Sequence, residues 1–143
     1  MNVRRILCIV VLSLLSVITA GAVLAAPPDV PSSFYGQVRV FGDNVPTDTV
    51  VSATIGGVTC GQATVQEDAE SGSVYALNVL ADDPDTTEVE GGREGEAIIF
   101  VITFPDGNRY TATPKGVWHG GTEVQLNLTQ QPMIALPLLV AGS

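Results

Sequence analysis

The chain is short of cations. It carries 6 Lys and Arg against 15 Asp and Glu, for a formal charge of −9. A nucleic-acid binder neutralises phosphates with a basic face, and this composition cannot build one, so no nucleic-acid partner is expected. Histidine and cysteine are equally scarce: His119 is the sole His, and Cys8 and Cys60 are the two Cys. Zinc centres of ordinary design need more such ligands, which excludes them. A Ser-His-Asp triad would have His119 as its only base, and no Gly-x-Ser-x-Gly elbow is present. No Gly-rich phosphate loop opens a helix. The chain is therefore not expected to be an enzyme. Charged residues make up only 15%, while 45% are hydrophobic, so this is not a disordered acidic tail. At 143 residues it is one domain's worth of protein.

The first 25 residues read as a signal peptide. Arg4 and Arg5 precede an apolar run from Ile6 to about Leu24, and small residues follow. Val23-Leu24-Ala25 fits the small-residue rule for cleavage after Ala25, whereas cutting after Ala26 would leave Pro27 first. Cys8 lies inside the apolar run, too early for a lipobox. The chain is therefore expected to be secreted, extracellular or at the cell surface. The alternative is an uncleaved N-terminal membrane anchor, because the run approaches the ~20 apolar residues that span a bilayer. Loss of Arg4 and Arg5 would leave four cations against 15 acids, a charge of −11. Such a surface repels anionic membranes and nucleic acids. Only Cys60 would remain, so no intramolecular disulfide could form. A buried thiol is its plain reading and an intermolecular bridge the sharper one.

Residues 26–32 form a Pro-rich, extended lead. Strand signals then recur with turns between them, as in an all-β, antiparallel seven-stranded β-sandwich over 33–129. The strands are predicted at 33–41, 49–55, 58–65, 73–80, 96–104, 109–113 and 122–129. In the first, Phe34, Val38 and Val40 share one face, with Tyr35, Gln37 and Arg39 on the other. In the second, Val51, Ala53 and Ile55 alternate with Val50, Ser52 and Thr54. Tyr75, Leu77 and Val79 point inward in the fourth. The fifth is apolar on both faces, which suits a central strand covered on both sides, or one covering a partner. The tail, 130–143, holds the apolar run Met133–Val140, interrupted by Pro137. It reads as a last strand, a loose terminus, or a strand donated to a neighbour's sheet edge, giving self-association through 133–140.

Two constellations could bind a ligand. Asp82, Asp83, Asp85, Glu88 and Glu90 stand close together in a long acidic loop, 81–95, which also holds Glu94, with Glu96 just after it. Closely spaced carboxylates suit a hard cation, so calcium is the one metal considered and no other cofactor is implied. EF-hand spacing fails, since Pro84 interrupts it. The plain alternative is a solvated turn. The second constellation is Trp118 and His119 beside Gly120-Gly121. An exposed Trp there could stack on a sugar ring, helped by Tyr35 or Tyr110. The competing reading is a Trp that caps one end of the core.

Several segments in order carry a family likeness: Phe34-Tyr35-Gly36-x-Val38, Val45-Pro46, Thr49-Val50-Val51-Ser52-Ala53, Gly72-Ser73-Val74-Tyr75-x-Leu77-x-Val79, Gly95-Glu96-x-Ile98-x-Phe100, Trp118-x-x-Gly121 and Leu126-Asn127-Leu128-Thr129. Together they cover about 31–129. They resemble the secreted β-sandwich modules of bacterial and archaeal surface proteins, in the carboxypeptidase-regulatory-like (transthyretin-like or Ig-like) group. The resemblance implies a non-catalytic module for adhesion, display or carbohydrate contact, with a surface polysaccharide or a protein as partner. It transfers no catalytic residues.

Overall fold

The computed structural model describes residues 30–130. The signal segment (1–25), positions 26–29 of the Pro-rich lead and the tail beyond Gln130 lie outside the described residues.

Every regular element among the described residues is a strand. In chain order they are β1 (Ser32–Val40), β2 (Asp43–Asn44), β3 (Val50–Ile55), β4 (Val58–Thr64), β5 (Gln66–Asp68), β6 (Gly72–Val79), β7 (Ala97–Thr103), β8 (Arg109–Thr111), β9 (Gly116–Val117), β10 (Glu123–Gln125) and β11 (Leu128–Gln130). They form two sheets. The first has the order β10-β1-β6-β5, with β11 and β2 also on β1. The second has the order β4-β3-β7-β8, with β9 on β7.

Period-two patterning accounts for what lies between the sheets. β3 buries Val51, Ala53 and Ile55, and β6 buries Ser73, Tyr75, Leu77 and Val79. β1 contributes Phe34, Val38 and Val40 and β7 contributes Ile98, Phe100 and Ile102 to the same cluster. Phe34 of one sheet meets Phe100 of the other edge-on, with ring centroids 5.4 Å apart. Cys60 belongs to this core at 4% exposure, and burial raises its thiol pKa. The buried-thiol reading therefore holds.

The sheets also touch along both edges. At one, Leu80 N–H donates to the Cys60 carbonyl at 3.2 Å, and Gly61 lies so near the Asn78 carbonyl that a Cβ would collide with it. At the other, Thr113 and Thr129 exchange a pair of backbone hydrogen bonds at 2.8 Å. Between β4 and β5 the chain crosses from the second sheet to the first, with Val65 buried at the corner.

Three expectations change. β7 is covered on one face only: Ala97 and Ile99 on its outer side are exposed. The predicted last strand, 122–129, is interrupted into β10 and β11. Tyr35 pairs with Gln125 and Val38 with Leu128, so the register is the same on both sides of the break. There Leu126 N–H donates to the Tyr35 carbonyl at 2.7 Å, and the Asn127 side chain accepts the Gln37 N–H at 2.9 Å, replacing a ladder bond. Finally, β1 pairs antiparallel with β6 but parallel with β10 and β11. Among the described strands, pairing is thus antiparallel except where β10 and β11 lie alongside β1.

Candidate functional site

The acidic loop is tied down by one of its own carboxylates. Ala81 and Gly92 form a parallel bridge; Asp82 N–H donates to the Gly92 carbonyl at 3.0 Å, and Gly92 N–H donates to Leu80 at 2.8 Å. The Asp82 side chain is 1% exposed. Its Oδ1 accepts the Glu90 N–H at 2.8 Å and the Gly91 N–H at 3.4 Å. Its Oδ2 accepts Arg93 Nε at 2.7 Å, with a second guanidinium nitrogen at 2.6 Å. The Glu90 amide above all, then the Arg93 side chain, hold the Asp82 pKa below the ordinary carboxylate range. This is what a carboxylate turned away from solvent requires: donors for its lone pairs and a countercharge beside it.

Gly91 and Gly92 let the loop return. A Cβ on Gly91 would strike the Ala81 carbonyl, and one on Gly92 would strike the Trp118 ring. Trp118 is 4% exposed, and its Nε1–H donates to the Val79 carbonyl at 3.1 Å. It is a lid on the core, with its polar edge satisfied. Of the two readings of this position, the Trp that caps one end of the core is the one the structure shows; the returning loop covers the ring, and no exposed stacking platform stands here.

The neighbouring residues extend this end of the molecule. His119 Nδ1 hydrogen-bonds to Glu94 Oε1, and this contact lowers the Glu94 pKa. A groove of about 470 Å³ lies alongside, lined by Val30, Asp82, Pro84, Arg93, Glu94 and Trp118 among others. Its buried polar groups, the Asp82 carboxylate and the Trp118 indole N–H, already have partners.

The five expected metal ligands do not gather around one point. Asp82 is committed to Arg93 and the loop amides. Asp83 Oδ1 accepts the Asp85 N–H at 2.9 Å, closing a local turn. Asp83, Asp85, Glu88 and Glu90 are exposed. Among the described residues no group of three or more His, Cys, Asp or Glu is placed to hold a metal ion.

The three aromatic candidates occupy separate places. Tyr110 stands in the second sheet, edge-on to Phe41 at 5.5 Å and to Phe104 at 5.3 Å, as part of an aromatic cluster. Tyr35 faces out from the centre of the first sheet, 39% exposed, with Ala76 opposite on β6 and Gln125 opposite on β10. It lines a second groove, of about 390 Å³, together with Gln37, Val74, Ala76, Gln125 and Asn127. The groove has no charged residue in its lining, although the chain carries 15 acids. Beneath it, Tyr75 is buried and its hydroxyl donates to the Leu126 carbonyl at 2.7 Å; burial raises that hydroxyl's pKa.

Gln37 was legible as an outward residue from the alternation of β1. The other two amides, Gln125 and Asn127, carry no local signal that they meet Tyr35. Their arrival depends on the parallel pairing of β10 with β1.

Among the described residues these features define an all-β domain that carries a charged surface groove at the Trp118 end and a neutral one around Tyr35. No protein-family model matches the chain, and no curated protein or solved structure matches it either.

Proposed function

We propose that the chain is a non-catalytic module, secreted or held at the cell surface, that works by adhesion or display toward a polysaccharide or protein partner. The observation that carries this reading is the parallel pairing of β1 with β10 and β11, the first and last of the described strands. Val30 N-terminal to β1 receives a hydrogen bond from Gly121 N–H at one pole, while Gln130 sits beside Val40 at the other. The nine residues of β1 separate these poles by roughly 27 Å at a strand's ~3.3 Å rise per residue. A domain entered at one pole and left at the other holds its faces out in line between flanking segments. That geometry suits a spacer or display unit.

The two-sheet frame supports the likeness to transthyretin-like or Ig-like sandwich modules, and the signal-like first 25 residues support export. Fractionation tests the reading. Cells producing the full chain are treated with protease from outside, and the chain is followed in cells and medium. Release to the medium, or loss to external protease, is the expected result. A chain that is wholly protected and cytosolic would overturn the proposal.

A further inference from the structure

We propose that the groove around Tyr35 binds a neutral carbohydrate chain, with the Tyr35 ring as the stacking face and the amides of Gln37, Gln125 and Asn127 taking the sugar hydroxyls. This rests on the reading of the chain as a non-catalytic binding module and names the ligand class for one of its faces.

Four observations converge. First, Tyr35 is 39% exposed at the middle of the sheet, where a ring has solid backing from both neighbouring strands. The apolar C–H face of a pyranose packs on such a ring. Second, the residue opposite on β6 is Ala76, whose small side chain leaves room beside the ring. Third, among the described residues the side-chain amides of Gln37 and Gln125 make no hydrogen bond, and Asn127 uses only its Oδ1, for the Gln37 N–H. Each free carboxamide offers two N–H donors beside an acceptor oxygen, which matches the paired donor and acceptor character of adjacent hydroxyls. Fourth, the lining is uncharged. It offers no countercharge to a phosphate, a uronate or a cation. The net charge of −9 further repels an anionic polymer. At about 390 Å³ the groove lies in the range of small-ligand clefts, and it is open on the sheet surface, as a site for a chain must be.

The full chain is titrated with cellohexaose, chitohexaose and mannohexaose, and with hexagalacturonate as the acidic control, while backbone amide NMR shifts are followed. At least one neutral hexasaccharide is expected to bind with an affinity insensitive to salt. It should move the resonances of 35–37, 74–76 and 125–127, while the uronate binds far more weakly. Tyr35→Phe keeps the ring and should keep affinity within roughly threefold. Tyr35→Ala should lose roughly tenfold or more, the equivalent of about 1.4 kcal/mol. The spectrum of Tyr35→Ala should stay dispersed, because its side chain lies outside the core. Gln125→Ala should weaken binding without changing the melting temperature. Three results would each overturn the proposal: no binding to any of the neutral sugars, binding undiminished in Tyr35→Ala, or shifts confined to the Trp118 end. The localisation experiment reads the module proposal separately. An exported chain that binds no sugar sinks the sugar site alone, and a cytosolic chain sinks the module reading whatever the titration gives.

Discussion

At the scale of single residues, Trp118 and Asp82 are structural where their types suggested ligand chemistry. Trp118→Phe removes the indole hydrogen bond to the Val79 carbonyl. The expected cost is about 1 kcal/mol, against about 3–5 kcal/mol for Trp118→Ala, which also empties the end of the core. Urea denaturation distinguishes these values, and a Trp118→Ala protein as stable as the parent would show that the ring is not a core lid. Asp82 makes a prediction about pH. Its folded pKa lies below its unfolded one, so its contribution is present above the ordinary carboxylate range and disappears as pH falls through the folded value. Melting temperatures taken from pH 7 down to pH 2 should fall more steeply for the parent than for Asp82→Asn, which has no proton to take up there. Identical slopes would mean that Asp82 draws nothing from Arg93 and the loop amides. Asp68 and Glu94 are also depressed, so part of the acid sensitivity remains in the variant.

At the scale of elements, the returning loop 81–95 behaves as a clasp. Gly91 and Gly92 lie against backbone and ring, where no side chain fits. Gly92→Ala should destabilise the fold by about 1–3 kcal/mol through overpacking against Trp118, read as a lower urea midpoint with an unchanged slope. A neutral effect would mean that the loop rides clear of the ring. The acidic run was legible in the sequence, but its role was not. Seven closely spaced acids look alike along the chain, and only the fold decides that one of them, Asp82, turns inward to meet Arg93. The strands were far more legible. Val51, Ala53 and Ile55, and Tyr75, Leu77 and Val79, point inward as their alternation requires. The short β2, β5 and β9 escaped notice, since two or three residues are too few to show a period.

At the scale of the whole molecule, the parallel terminal strands bear on how the domain carries load. Pulling on positions 30 and 130 draws β1 and β10–β11 past one another, so their ladder bonds are strained together. Handles at Gly42 and Gln130 share one pole and open the same ladder bond by bond. Single-molecule stretching should therefore give a higher rupture force from 30/130 than from 42/130, since forced unfolding follows the barrier and not the equilibrium stability. Equal forces from the two geometries would remove the mechanical argument for a display role.

The amino-acid sequence by itself determined that this is an all-β chain, where its long strands run and which of their residues face the core, because period-two alternation is a local property. The tertiary structure alone decided that β10 and β11 lie parallel to β1, that Trp118 is covered, that Tyr110 joins Phe41 and Phe104, and that Tyr35 meets Gln125 and Asn127. Each of these joins residues far apart in the chain, and such pairings are chosen by the packing of two sheets around one core, which no local pattern records.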